Sequence, residues 1–177
     1  MSVLPFSTAE VESAEGPLIR VRRGPDGRPA GATAALPVRA SVAKLWSVVG
    51  DLESYASRIP MMDKVEVDEP KVTVRLRFRV AIVSVGFAFT ALATKEHEKS
   101  LDLRWVSGEP AGLCIRFDLV PGSDGTTVLY SSIGFDIDSL GWLVKYFLRH
   151  HPEIRYGIFT GSAFALADKM REAAEAK

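Results

Sequence analysis

Cysteine is nearly missing: Cys114 is the only one in 177 residues, which excludes an internal disulfide and a thiolate metal cluster. Net charge is missing too. Lys plus Arg and Asp plus Glu stand at 22 each, so no overall field draws the chain to nucleic acid or to an anionic membrane, and partners must be argued locally. No apolar run reaches the roughly 18 residues of a membrane span. The opening MSVLPFSTAEVESAEG lacks the basic segment and apolar core of a signal peptide, so the expected setting is the cytoplasm. Catalytic signatures are also missing. No Gly-rich phosphate loop joins a strand to a helix, no G-x-S-x-G occurs, and no Ser-His-Asp set can be assembled. His150 and His151 are helix neighbours pointing about 100° apart, with no third ligand at metal spacing, so neither a metal nor a cofactor is expected. Arg75, Arg77 and Arg79 form a basic stripe without interleaved aromatics, which reads as a solvated face near Glu66 and Glu96, not as a nucleic-acid surface.

What is present is a core. At 47% hydrophobic and 25% charged residues, the chain fits one globular domain, taken as residues 31–177 after an N-terminal arm and extra strand over 1–30. Residues 1–16 show no period and read as a loosely held arm. PLIRVRRGPDGRPAGATAALPVRA reads as two extended runs around a Gly-Pro-Asp-Gly turn. In SVAKLWSVVGD, Ser41 caps a short helix with Val42, Leu45, Trp46 and Val49 on one face, and Asp51 caps the next turn, LESYASRI, ended by Pro60.

Six segments of period two follow, from VEV at Val65 to TTVLYSSIGFD, and imply an antiparallel meander. A two-residue loop at Glu69-Pro70 sets Val67 against Val72 and Val65 against Val74. A second at Val85-Gly86 sets Ile82 against Phe89, Val80 against Ala91 and Arg75 against Glu96. One face is then apolar: Val72, Val74, Leu76, Phe78, Val80, Ile82, Phe87, Phe89, Leu101, Leu103, Trp105, Leu113, Ile115 and Phe117. SLGWLVKYFLRHH reads as a short helix or an amphipathic loop. Pro152 suits the first turn of a long helix, which has to cover the apolar face. Gly157, Gly161, Ser162, Ala163, Ala165 and Ala167 on that helix either leave volume over the sheet or permit close packing.

This order of elements, with Ala40-Ser41, Trp46, Asp51, Tyr55, Pro60 and Val65-Glu66-Val67, resembles the START/SRPBCC superfamily of α+β helix-grip proteins. The segment PGSDGTTVLYS is similar to that of the polyketide cyclase/dehydrase and coenzyme Q-binding branch. The resemblance spans roughly residues 31–175 and implies a curved antiparallel sheet wrapped around the C-terminal helix, with two short helices after the first strand and a cavity between sheet and helix. It implies ligand contacts from Tyr55, Met61 and Met62 at the mouth, Leu76, Phe78, Phe87, Phe89, Leu103, Trp105, Ile115, Phe117 and Tyr130 on the sheet, and Ile158, Phe159, Ser162 and Leu166 on the helix.

The expected function is binding or transport of a hydrophobic small molecule such as a lipid, quinone or polyketide-like compound. Two alternatives stay open: an aromatase/cyclase-type enzyme using Tyr130 or His97 in the same cavity, and a partner-binding module with a near-filled cavity. Lys95 and His97 share the face of Phe89 but sit near a turn, where solvent is the alternative to the cavity. No catalytic residue is assigned. Trp142, Leu143, Tyr146 and Phe147, with Lys145 and Arg149, suit either transient contact with a membrane surface or packing on the sheet edge.

Overall fold

The computed structural model describes residues 4–80 and 83–176, apart from the side chains of 78–80, 83–85 and 143. Eight strands and several short helices precede one long helix: α1 (Thr8–Ser13), β1 (Leu18–Arg23), β2 (Pro29–Val38), α2 (Val42–Val49), α3 (Tyr55–Arg58), β3 (Met62–Asp68), β4 (Lys71–Val80), β5 (Val83–Glu96), β6 (Ser100–Gly108), β7 (Cys114–Pro121), β8 (Thr127–Gly134), α4 (Gly141–His150) and α5 (Ile154–Glu175). The strands form one open antiparallel sheet in the order β1-β2-β8-β7-β6-β5-β4-β3. This is the helix-grip arrangement, with the extra strand β1 at one edge.

Local chemistry explains the turns. In the Gly-Pro-Asp-Gly turn, Gly27 takes a φ of +75°, the Gly24 N–H donates to the Arg28 carbonyl at 2.8 Å, and the Arg28 N–H donates to Asp26 Oδ1 at 3.0 Å. Glu69-Pro70 is the two-residue loop the alternation predicts, and it pairs Val67 with Val72 and Val65 with Val74. The second hairpin differs. Gly86 lies inside β5, where a side chain would meet only an ordinary contact, so the strands run on and Leu76 pairs with Phe87, Val74 with Phe89 and Arg75 with Ala88. Arg75 therefore does not face Glu96. Ala81 and Ile82, and the side chains of Phe78, Arg79 and Val80, lie outside the described residues.

Residues 4–13 are not a loose arm. Ser7 and Glu10 form a capping box at the start of α1, with the Glu10 N–H donating to Ser7 Oγ at 3.3 Å and the Ser7 N–H to Glu10 Oε2 at 2.6 Å. Glu12 accepts from the Ser123 N–H at 2.6 Å, which ties the helix to the β7–β8 turn. These bonds hold both glutamates below the usual carboxylate range. Val11 is fully buried with Ala35, Val128 and Tyr130, so α1 covers part of the sheet face that α5 does not.

Ser41 caps α2 as predicted, Oγ accepting from the Lys44 N–H at 3.3 Å. Asp51 does not cap its turn. Its carboxylate accepts from Ser54 Oγ at 2.5 Å and from the Arg58 guanidinium at 3.1 Å. On α5 the buried stripe is Phe159, Ala163, Leu166, Ala167, Met170 and Ala174, spaced as one helical face. The helix lies chiefly on β2 and β8 and also meets β1, α2 and α3. Ala32 and Ala34 of β2 and Ala163 and Ala167 of α5 are all buried, so small residues bring helix and sheet close together. Gly157 and Gly161 are exposed with open space around them, so they are not among the residues that meet the sheet.

Candidate functional site

Register places the inward side chains in rows across the sheet, because paired residues of antiparallel strands share a face. Ala34, Ser131, Phe117 and Leu101 form one row, and Ala32, Ile133, Ile115 and Leu103 the next. Both are buried, with α5 over their β2 and β8 members. Farther along, Trp105, Ala91, Val72 and Val67 form a row, and Phe87, Leu76 and Met62 another. Here the cover thins: Val67, Leu76, Phe87 and the neighbouring Met61 are half-buried, and Trp105 is 38% exposed. The apolar concave face therefore extends beyond the helix that closes it, and its open part lies where β3–β6 meet the segment after α3.

Two details fix that rim. Gly108 has a φ of +90°, and a Cβ on it would lie 2.2 Å from the Ala88 carbonyl oxygen, so only glycine permits β6 to approach β5 there. The Gly108 carbonyl accepts the indole N–H of Trp105 at 3.0 Å, which holds the ring at the edge of the face. Tyr55 donates its hydroxyl to the Val49 carbonyl at 2.6 Å. Burial pushes its phenol far above the usual tyrosine range, so Tyr55 supplies an apolar wall and a brace between α2 and α3.

The sequence-predicted contacts divide accordingly. Tyr55, Met62, Phe89, Leu103, Ile115, Phe117, Phe159 and Leu166 are buried in the main core; Met61, Leu76, Phe87 and Ile158 pack half-buried against it. Ser162 is half-buried on the flank of the α5 stripe. Phe78 has its side chain outside the described residues. Tyr130 is a correction: it projects from the opposite face, packed under α1, its hydroxyl donating to the Phe6 carbonyl at 3.1 Å. His97 is exposed just past the end of β5, beside Trp46 with ring centres 5.7 Å apart. Lys95 pairs with Glu69 at 2.5 Å at the hairpin end.

Sequence reasoning missed Ser131. Its hydroxyl is fully buried on the concave face and has no hydrogen-bond partner among the described residues. A buried unpaired hydroxyl costs about 1–3 kcal/mol, a cost the fold carries at this position. Ser131→Ala should raise the unfolding free energy of the empty protein by about 1 kcal/mol. Urea melts of the two proteins check this; a less stable variant would mean that the hydroxyl has a hydrogen-bond partner in the folded protein.

The described residues hold no group of three His, Cys, Asp or Glu able to bind a metal. Cys114 lies on the outward face, with its thiol raised first by desolvation and next by the Asp102 carboxylate; it is correspondingly poor as a nucleophile.

Comparison with known proteins decides the family. The family model described as polyketide cyclase / dehydrase and lipid transport matches residues 38–151. The chain belongs to this family. Among solved structures, the family member is similar to the ZhuI aromatase/cyclase from Streptomyces sp. R1128, at 17% identity and a TM-score of 0.58 over 81% of this chain and 92% of that one. It is similar to a START superfamily protein from Mycobacterium smegmatis at 16% identity and a TM-score of 0.58, covering 81% and 95%. A STAR-related lipid transfer protein fragment from Xanthomonas axonopodis aligns over 93% of this chain and 96% of its own, at 14% identity and a TM-score of 0.55. The superpositions show a shared START-like fold and, at these identities, the fold alone. No curated protein matches the chain in sequence.

Proposed function

We propose that this protein binds and carries a hydrophobic small molecule on the concave face, between the flank of α5 and the β3–β6 half of the sheet. The observation that carries the reading is the incomplete cover of that face, where Met61, Leu76, Phe87 and Trp105 stay partly open although they continue a buried apolar surface. A ligand burying a few hundred Å² there at about 25 cal/mol per Å² gains several kcal/mol before entropy costs.

The cyclase reading needs at least two converging polar groups next to the ligand. The polar residues expected to serve it are dispersed, with Tyr130 beneath α1 and His97 beside Trp46, so binding without chemistry is the better-supported function.

Loading from a bilayer is part of the same proposal. Val144 and Leu148 of α4 pack on the core, while Trp142, Tyr146 and Phe147 are 77%, 55% and 46% exposed. Leu143, expected beside them, has its side chain outside the described residues. Trp and Tyr on a short amphipathic helix suit the level of lipid headgroups.

Native mass spectrometry of freshly purified protein, with titration of a fatty acid or an apolar fluorescent dye, tests the cargo reading. One ligand per chain is expected. Several equivalent sites per chain, or no binding across fatty acids and quinones, would reject it.

A further inference from the structure

We propose that a basic pocket between the β1–β2 hairpin and α4 holds the phosphate of an anionic phospholipid headgroup while the protein rests on a bilayer; the inference builds on the membrane contact of α4 stated above. The pocket has a volume of about 600 Å³, enough for a headgroup and not only for a small ion. Arg23 and Arg28 of the hairpin line one side, Lys145 and Arg149 of α4 another, and Arg155 the start of α5, with Asp138 as the lone carboxylate. Five cations converge in a chain of zero net charge.

The pairing within the pocket leaves most of this charge unspent. Asp138 is taken by Arg155, whose guanidinium donates to it at 2.6 Å and is 11% exposed. Arg28 meets Asp26 only at 3.7 Å, with both side chains largely exposed, a weak pair. Arg23 donates to the Gly27 carbonyl at 2.8 Å, and its guanidinium lies 5.7 Å from the centre of the Tyr156 ring. It is thereby positioned without being neutralised. Lys145 and Arg149 have no carboxylate partner among the described residues. Like charges gathered around one hollow repel each other, and a phosphate relieves that repulsion while accepting several charge-assisted hydrogen bonds.

The helix that walls the pocket says where the phosphate comes from. Lys145, Tyr146 and Arg149 stand at i+3, i+4 and i+7 from Trp142, so the two cations and the two exposed aromatics share one stripe of α4. An anion between Lys145, Arg149 and the hairpin then lies beside rings placed at the membrane interface. This is the geometry of a phospholipid headgroup whose chains continue into the bilayer.

The test is sedimentation of the full chain with vesicles of phosphatidylcholine, with or without phosphatidylglycerol. Wild type should prefer the anionic vesicles. Arg23→Gln/Arg28→Gln, which leaves α4 untouched, should lose roughly thirtyfold in affinity for them, at about fivefold per charge near the surface. Lys71→Gln/Arg75→Gln, an equal loss of charge on exposed β4 positions, should change it by less than about threefold. Equal losses for the two pairs, or no preference by wild type, would overturn the pocket. So would tight binding of free glycerol phosphate without that preference, which would mark a soluble phosphate ligand instead. Trp142→Ser/Tyr146→Ser reads the membrane contact separately, since a variant that sediments like wild type sinks the α4 reading. If the hairpin pair fails to fold, Arg28→Gln alone, with its exposed side chain, should still show about a fivefold loss, and none would count against the pocket.

Discussion

Phe159→Ala should lower the unfolding free energy by about 3–5 kcal/mol, a fall of roughly 10 °C in melting temperature for a chain of this size. Phe159 is fully buried, and its ring centre lies 4.9 Å from that of Phe135 at an interplanar angle of 51°, a favourable tilted arrangement. It is the one aromatic side chain in the buried stripe of α5, whose other members include Ala163, Ala167 and Ala174. Those alanines rest close on the sheet and cannot move in to refill the space. Truncating the ring therefore removes contact area and leaves a cavity, and both losses add. Urea unfolding of the two proteins measures the difference. A loss below about 1 kcal/mol would mean that the start of α5 is not anchored on the sheet, and with it the closed end of the concave face.

The parts of the fold that were legible in the sequence are those fixed by short-range chemistry. Ser41 caps α2, Glu69-Pro70 sets a register, and Gly27 completes a turn; each depends on residues a few positions apart. Gly86 resembles a turn residue and so predicts a loop at Val85-Gly86, while in the sheet its missing side chain is simply tolerated within β5. Tyr130 departs from its expected face for a more general reason. Alternation reports inside and outside only when one face is wet, and nearly every residue of β8 is buried because α1 covers one face and α5 the other. The signal for α1 was present in Ser7 and Glu10, three apart at the start of a short amphipathic run. Ser131 and the basic pocket had no such signal. The lone hydroxyl matters only because strand pairing carries it under the helix, and Arg23 and Arg28 meet Lys145 and Arg149 only once the sheet brings its edge hairpin beside α4.

Leu76→Glu should abolish binding of an apolar ligand, by at least a hundredfold, while costing the folded protein only about 1 kcal/mol. Leu76 pairs with Met62 on one side and Phe87 on the other, at the half-buried edge of the concave face. In the empty protein a carboxylate there can reach water, because the cover is incomplete, so the fold tolerates it. In the complex, a ligand lying across Leu76, Phe87 and Met61 would shut out that water and leave a desolvated charge against hydrocarbon, a cost of several kcal/mol charged entirely to binding. Stability and affinity therefore separate, which a purely structural role for Leu76 would not produce. Arg75→Gln, the same change of charge on the outward face of the same strand, should leave affinity within about threefold. Dye titration and thermal melts of the three proteins decide the matter. Wild-type affinity in Leu76→Glu would place the ligand elsewhere, and a large stability loss with binding intact would mean that β4 at this point is closed core.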